Sequence, residues 1–202
     1  MNKEIKKVVV FGLGAAGANF LYNIVHSHPE LAYAGVDFDK VEPRNYDAGT
    51  QPYSKIDLNR PKVQAMQRII QTARGKKVEG HAVRIVKHQQ IVEFAGHPRD
   101  CLVIDAFDNA DSRNLFLMLD KGIWNILHVG FSPTLTGEAV WQESYSRMTP
   151  DKKGDFDVCQ MHTARSFIQA LTAIASLLAT EFIDSGVKRS VYFDSKLKMF
   201  AF

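Results

Sequence analysis

The sequence predicts an α/β fold in which a doubly wound, mostly parallel sheet carries helices on both faces and ends in antiparallel strands. Short apolar runs alternate with amphipathic helical segments over most of the chain, as expected where helices join parallel strands. One of these runs leads directly into Gly12-Leu13-Gly14-Ala15-Ala16-Gly17 and a helical segment. Near the C-terminus, two short strands follow a long helix with no helix between them, which predicts antiparallel pairing.

The first half of the chain contains four predicted strands. Strand 8–11 is continuously apolar, as expected of a strand buried on both faces, and Pro29 ends the following helix at 15–28. Strand 31–38 comes next, and after the turn-rich stretch 39–57 Pro61 opens a helix that extends to about residue 74. The remaining elements of this half are a strand at 81–86, a short helix at 91–95 and a buried strand at 101–104.

The second half continues the alternation and then departs from it. Asp111 or Ser112 is expected to cap a helix that ends at Leu119, and strands are predicted at 124–129 and 137–142. The polar segment 148–158 is expected to be an exposed loop before a long helix at 163–183. Strands at 190–193 and 197–202 close the chain. This order predicts a Rossmann-like fold with its ligand at the carboxyl ends of the strands.

The composition is that of an ordinary globular protein. The 202 residues are 46% hydrophobic with a formal net charge of +3, so one domain over residues 1–202 can bury its own core. Scattered basic residues predict no nucleic-acid surface, and no apolar run predicts a membrane span or a signal peptide. Cys101 and Cys159 are the only cysteines, which provides neither a disulfide framework nor a zinc site and favours a soluble, cytoplasmic protein.

The glycine turn is the strongest functional signal in the chain. A strand that leads into Gly-x-Gly-x-x-Gly and a helix presents backbone N–H groups and a helix N-terminus to a phosphate. Asp37 follows Gly17 by about twenty residues, where the end of the next strand would deliver a carboxylate to a ribose hydroxyl. Because a tight turn without a ligand also needs small residues, the pattern predicts a nucleotide without saying which one.

Further motifs follow at the ends of the second and fourth strands. They comprise Asp37-Phe38-Asp39-Lys40-Val41 followed by Asn45, Gln51 and Lys62, then Asp105-Ala106-Phe107-Asp108-Asn109 with Arg113. With the helical stretch 173–183, these motifs resemble the ATP-dependent activating enzymes of the ThiF/MoeB/HesA family, which includes the ubiquitin-activating enzymes. The resemblance spans nearly the whole chain. It favours ATP over NAD, since an NAD-dependent oxidoreductase would leave Asn45, Lys62 and Asp108 unexplained.

The resemblance implies a site for ATP and Mg²⁺. Asp37 would bind the ribose, Asn45 and Lys62 would bind the phosphates, and Asp108 would coordinate Mg²⁺. Taken one at a time, Asn45 is equally explained as a turn residue, Lys62 as a solvated side chain and Asp108 as a helix cap. The implied cofactor-binding residues are Gly12, Gly14, Gly17, Asp37, Asp39, Asn45, Gln51, Lys62, Asp108 and Asn109. The implied catalytic residues are Lys62, Asp108, Arg44 and Cys159.

The chain departs from the family pattern after Asn45. Members that adenylate efficiently carry an arginine on the phosphates three residues later, where this sequence has Ala48. Arg44, Arg60 or a partner's residue would have to replace it, because such an arginine contributes roughly 10³ to 10⁵ in rate in other phosphate-transfer enzymes. Cys159 lies near the position of the cysteine in thioester-forming members, and a helix N-terminus and His162 would activate it. The alternative is a loop thiol without a function.

The function that the resemblance implies is ATP- and Mg²⁺-dependent adenylation of a carboxylate. The acceptor would be the C-terminal glycine of a ubiquitin-like or sulfur-carrier protein, and the enzyme would be a homodimer that binds neither nucleic acid nor membrane. Ala48 keeps open a second hypothesis, a non-catalytic member that binds nucleotide or a partner as a regulatory or assembly subunit.

Overall fold

A computed structural model describes residues 5–146, 164–196 and 198–201. Its strands are Lys7–Phe11 (β1), Ala32–Val36 (β2), Glu79–His81 (β3), Cys101–Asp105 (β4), Asn125–Phe131 (β5), Thr136–Trp141 (β6), Val191–Asp194 (β7) and Met199–Ala201 (β8). Its helices are Ala15–Ser27 (α1), Pro43–Asp47 (α2), Lys62–Arg74 (α3), His88–Ala95 (α4), Ala110–Asn114 (α5) and Ala164–Ser185 (α6). Short 3₁₀ turns occupy Lys55–Asp57 and Phe116–Met118. The predicted loop 148–158 lies outside the described residues.

The described strands form one sheet in the order β3-β2-β1-β4-β5-β6-β7-β8. The pairs from β3 through β5 are parallel, and those from β5 through β8 are antiparallel. The strand order reverses between β1 and β4, which leaves a crevice beyond the carboxyl ends of these two central strands. The predicted fold class, a mostly parallel Rossmann-like sheet with antiparallel strands at the C-terminal end, is confirmed.

The side chains of β1 point alternately to the two faces of the sheet, and each face has its own hydrophobic core. Val8 and Val10 pack on one face among the buried side chains of α1, α3 and α6. Val9 and Phe11 lie on the opposite face with the buried residues of α4 and the 3₁₀ turn Phe116–Met118. All four side chains are fully buried, which explains why positions 8–11 of the strand are all apolar.

The helix α6 covers part of the first face. By length and composition it is the one helix in the described part of the chain that is long and apolar enough to cross a membrane, so the prediction that no apolar run reaches this length was wrong. Half of its most apolar stretch is buried inside the protein, and α6 packs against α1, β5 and β6. The core helix of a globular protein passes the same test, so this helix is explained by its packing.

Three local predictions were wrong. The third strand is Glu79–His81, not 81–86, because its pairing with β2 begins at Ala34 and ends at Val36. The helix α5 is capped by Asn109 rather than Asp111 or Ser112, and it gives way to a 3₁₀ turn. The stretch 39–57 contains the unpredicted helix α2, which a capping box between Glu42 and Asn45 stabilises.

Candidate functional site

Two glycines of the turn after β1 are required by packing. Gly12 has a φ of +84°, and a Cβ there would lie 2.8 Å from the carbonyl oxygen of Ala106. A Cβ on Gly17 would lie 1.9 Å from the carbonyl oxygen of Gly12, so only glycine lets α1 approach the turn so closely. These two positions are explained by the fold without any ligand.

Gly14 differs from Gly12 and Gly17 because none of the described residues crowds it. Apart from its chain neighbours, no heavy atom of these residues lies within 4 Å of the position that a Cβ on Gly14 would occupy. Gly14 is also the N-cap residue of α1, and no side chain caps its N-terminal amides. The first turn of this helix of 13 residues thus directs backbone N–H groups and the positive end of its dipole toward open space, which suits an anion.

Asp37 links the end of β2 to the glycine turn by hydrogen bonds. Its Oδ2 accepts a hydrogen bond of 2.6 Å from the backbone amide of Leu13, and its Oδ1 accepts one of 2.7 Å from the amide of Asp39. Burial raises the pKa of Asp37, and the nearby Lys62 ammonium opposes that effect. Each carboxylate oxygen retains a second lone pair, so the side chain holds the turn and is still able to accept a hydroxyl.

Lys62 lies beside this carboxylate at the start of α3. Its residue is only 8% exposed, and its Nζ lies 3.0 Å from Asp39 Oδ2. The backbone fixes the position, because the Lys62 amide donates to the carbonyl of Asp39 and the Val41 amide to that of Arg60. The structure therefore brings Asp37, Asp39 and Lys62 together, with the ammonium already paired.

Asn45 and Gln51 lie in the segment between β2 and α3. Asn45 is buried, and its Oδ1 accepts a 2.8 Å hydrogen bond from the Glu42 amide, so part of its side chain serves the fold. Gln51 is 9% exposed and its Oε1 has no hydrogen-bond partner among the described residues; the same holds for the Oγ1 of Thr50. Buried polar atoms without partners are uncommon, which makes these two candidates for contact with a ligand.

Asp108 and Asn109 follow the end of β4. The Asp108 carboxylate is exposed, and from the described residues it receives only a long contact of 3.4 Å, from Asn109 Nδ2. Asn109 Oδ1 caps α5 through the Ser112 amide at 2.9 Å. The described residues contain no cluster of three His, Cys, Asp or Glu side chains that would hold a metal on their own. A single free carboxylate fits Mg²⁺, which is commonly bound by one or two carboxylates together with substrate phosphates.

Arg44 and Arg60 were considered as replacements for the arginine missing at Ala48. Among the described residues, neither side chain forms a hydrogen bond with Asp37, Asp39 or Lys62. Arg44 Nε donates to Glu42 Oε2 at 2.7 Å, and both side chains are exposed. Arg60 is exposed and contributes its backbone, not its side chain, to the hydrogen bonds of the loop. Cys159 and His162 lie outside the described residues.

Two residues that hold the glycine turn were not assigned a role from the sequence. The Tyr53 hydroxyl donates to the Leu13 carbonyl at 2.8 Å, and burial, with the negative charge of Asp37, raises the pKa of Tyr53 well above its usual value. Asn19 Nδ2 donates to the carbonyls of Ala15 and Thr50 at 2.7 and 2.8 Å. The sequence does hint at a role for Asn19, because it is a polar residue within the otherwise apolar first half of α1.

Behind the site, at the end of β4, lies a buried network of charged groups. Asp105 Oδ2 lies 2.8 Å from His128 Nδ1 and 3.3 Å from Arg113 Nε, and Arg113 Nη1 reaches Glu138 Oε1 at 3.0 Å. Asp105 Oδ1 accepts from the Phe107 amide at 3.1 Å, which shapes the loop that leads to Asp108. Burial alone would raise the pKa of Asp105, but Arg113 and His128 outweigh burial and hold this pKa below its usual value.

The geometry requires a proton on both ring nitrogens of His128. Gln142 Nε2 donates to the carbonyls of Phe116 and Leu119, so Gln142 Oε1 is the atom that faces His128 Nε2 at 2.6 Å. The amide oxygen of Gln142 and the carboxylate of Asp105 can only accept hydrogen bonds. Both ring nitrogens of His128 therefore donate one. His128 is fully buried and stacked on Tyr145. Within the described part of the chain, the network thus contains two cations, His128 and Arg113, and two anions, Asp105 and Glu138.

Comparisons with known proteins agree with this architecture. A model of the ThiF family matches residues 3–200, whereas no curated protein matches the chain in sequence. Among solved structures, PaaA superposes with a TM-score of 0.72 at 16% identity, covering all of this chain and 64% of PaaA.

Two further structures superpose on this chain about as well as PaaA does. They are Escherichia coli MccB with ATP and the microcin C7 biosynthetic enzyme MccB with N-formylated MccA. Their TM-scores are 0.71 and 0.72 at 13% and 14% identity, each covering all of this chain and 64% or 65% of the other. The chain thus spans slightly less than two thirds of these structures. Its motifs, its fold and the family model over nearly its full length lead to one conclusion: the chain belongs to the ThiF family.

Proposed function

We propose that this protein binds ATP at the glycine turn and uses it to adenylate a carboxylate. The observation that carries the proposal is the convergence of the open N-terminus of α1, the buried Lys62 and the carboxylate of Asp37 at the carboxyl ends of β1 and β2. A triphosphate needs such donors and cations, and a ribose needs such an acceptor. The structure of MccB with ATP, a protein of the same fold, supports the choice of nucleotide.

The chemistry assigns a task to each group. A carboxylate oxygen of the acceptor attacks the α-phosphorus of ATP, the bond from this phosphorus to the oxygen that bridges it to the β-phosphate breaks, and pyrophosphate leaves. Negative charge moves onto the leaving phosphates, so Lys62 and the N-terminus of α1 stabilise it. Asp37 accepts from the ribose and fixes the nucleotide. Mg²⁺, held by Asp108 and the phosphates, would neutralise further charge.

We further propose a polypeptide acceptor that ends in glycine, such as a ubiquitin-like or sulfur-carrier protein. Structures of MccB have been solved in complex with MccA. In one of them MccA contains selenomethionine, which indicates that MccA is a polypeptide. A tail that ends in glycine has no terminal side chain and so approaches a narrow site closely. The homodimer, the cytoplasmic location and a role of Cys159 stay predictions.

One observation favours the second hypothesis, a member that binds nucleotide without turnover. Arg44 is paired with Glu42 and Ala48 provides no cation, so the loop itself places no free arginine at the phosphates. Binding would then be retained while chemistry is slow.

Two measurements on the purified chain test the proposal. ATP affinity is measured by titration calorimetry, and turnover by exchange of labelled pyrophosphate into ATP in the presence of a peptide that ends in Gly-Gly. Lys62→Ala is expected to weaken ATP binding about tenfold or more, since hydrogen bonds to charged groups contribute about 1.5–3 kcal/mol. Lys77→Ala, an exposed lysine just past the far end of α3, is the matched control and should bind normally.

The outcomes separate the hypotheses. ATP binding that Asp108→Ala and Lys62→Ala both weaken, together with exchange, supports adenylation. ATP binding without exchange for any glycine-ended acceptor supports the non-catalytic hypothesis. No measurable ATP binding by the unaltered chain would rule out adenylation and the nucleotide-binding form of the second hypothesis.

A further inference from the structure

The loop 48–51 has an unusual combination of features. Gly49 adopts a φ of +64°, a conformation in which a side chain is strained. The next two residues carry the buried Thr50 Oγ1 and Gln51 Oε1, neither of which has a partner among the described residues. Ala48 before them ends in a methyl group. The loop thus offers hydrogen-bonding atoms and space, but no charge of its own.

An arginine from a distant part of the sequence lies across this loop. The side chain of Arg165, the second residue of α6, lies against Gly49, because a Cβ there would be in ordinary contact with it, 3.4 Å from Arg165 Nη1 and 3.7 Å from its Cδ and Cζ. The residue is exposed, and among the described residues its guanidinium forms no ion pair and no hydrogen bond. In contrast, Arg44, Arg68 and Arg113 are all paired with carboxylates.

The loop under Arg165 is fixed against the N-terminal part of α1. Asn19 Nδ2 donates both to the carbonyl of Ala15, the first residue of α1, and to the carbonyl of Thr50. One side chain therefore joins the helix that opens with Gly14 to the loop that Arg165 covers. This arrangement connects the loop that Arg165 covers with the first turn of α1, whose N-terminus is proposed to receive the phosphates.

We propose that Arg165 supplies the cation that Ala48 does not, by binding the β- and γ-phosphates of ATP. The inference rests on the proposed function and deepens it, because it assigns the phosphate contact to α6 instead of the loop after Asn45. A guanidinium donates two parallel N–H groups to a phosphate, which suits pyrophosphate as a leaving group. It also fits the glycine at position 49, where Arg165 lies against the backbone and where a φ of +64° disfavours any side chain.

The test compares ATP with AMP, because AMP lacks the phosphates that Arg165 is proposed to bind. Affinities of both nucleotides are measured by titration calorimetry for the unaltered chain, Arg165→Ala, Arg165→Lys and the control Arg99→Ala. Arg99 is exposed and precedes β4, so it lies at the amino ends of the parallel strands, opposite the site. Arg99→Ala therefore removes one positive charge, as Arg165→Ala does, but far from the site.

Arg165→Ala is expected to weaken ATP binding about tenfold or more while AMP binding changes less than twofold. Arg165→Lys should recover part of the loss, because it keeps the charge without the paired donors. Arg99→Ala should bind both nucleotides normally. The inference is overturned if Arg165→Ala binds ATP as tightly as the unaltered chain, or loses ATP and AMP equally. Failure of the unaltered chain to bind ATP would instead overturn the proposed function, and this inference with it.

Discussion

Replacing His128 with leucine is expected to destabilise the protein strongly, although leucine fills similar space and is apolar. His128 is fully buried, and it donates from one nitrogen to Asp105 and from the other to Gln142. Its loss leaves the carboxylates of Asp105 and Glu138 opposed, among the described residues, by one cation, Arg113. This part of the network then carries a net charge of −1, and the Asp105 carboxylate within it is fully buried.

The magnitude follows from the burial of this network. Breaking a buried ion pair by removing one partner costs about 3–5 kcal/mol, because the remaining charge stays desolvated and uncompensated. For a chain of about 150–250 residues, each kcal/mol lowers the melting temperature by about 2–4 °C, so a drop of about 6–20 °C is expected. Adding Asp105→Asn to His128→Leu restores a net charge of zero, so the double variant should lose less than the sum of the single losses.

Urea unfolding of the single variants, the double variant and the control His97→Leu measures these effects. The side chain of His97 is 66% exposed, and its replacement should change the free energy of unfolding by less than about 0.5 kcal/mol. Nitrogen NMR of the imidazole gives a direct reading and should show both ring nitrogens of His128 protonated. A His128→Leu loss below about 1 kcal/mol, or the spectrum of a neutral ring, would refute the assignment of charge.

Three further predictions concern the site and its supports. Asp37→Ala should destabilise the ligand-free protein by about 2–6 kcal/mol in urea unfolding, because two backbone amides lose their acceptor at about 1–3 kcal/mol each; unchanged stability would show that Asp37 does not hold the turn. Gly17→Ala should prevent normal folding, whereas Gly14→Ala should keep the melting temperature within a few degrees and weaken ATP binding; similar melting temperatures for the two variants would contradict the packing argument. Asp57 is paired with Arg68 at 2.7 Å, and its pKa lies below the usual 3.8 because the Arg68 and Ser54 hydrogen bonds outweigh burial. Its contribution to stability is therefore present above pH 3.8 and lost as the pH falls through the lowered value. Arg68→Ala should reduce the part of the stability loss seen as the pH falls from about 4 to about 2 in urea titrations, and an identical loss in both proteins would contradict this.

The fold was predictable because its main signals are local. The apolar run of β1, the glycine turn and the alternation of strands with helices are each visible within short stretches of sequence, and the sheet follows from them. The boundaries that were wrong depend on pairing partners: β3 stops where β2 stops. The helix α2 was missed because its signal, the capping box of Glu42 and Asn45, lies in a stretch dominated by turn residues.

The site was predictable only in part, for a similar reason. Motif order brought Asp37, Asp39, Asn45 and Lys62 into one group, and the structure places them at the same edge of the sheet. The position of Arg165 over Gly49 joins residues more than a hundred positions apart, and no spacing rule links them. The ion pairs that engage Arg44 and Lys62 were also invisible, since a charged residue in a sequence does not reveal whether a neighbour already neutralises it.

The different surroundings of the three glycines also say how such a chain would change over evolutionary time. Gly12 and Gly17 are held by contacts within the protein, so a descendant that no longer used a nucleotide would still keep both in order to fold. A Cβ on Gly14 would meet no atom of the described residues within 4 Å, apart from its chain neighbours, so only a ligand would oppose its replacement. In a set of related sequences, variation confined to this middle position would therefore mark the members that have lost the nucleotide while retaining the fold.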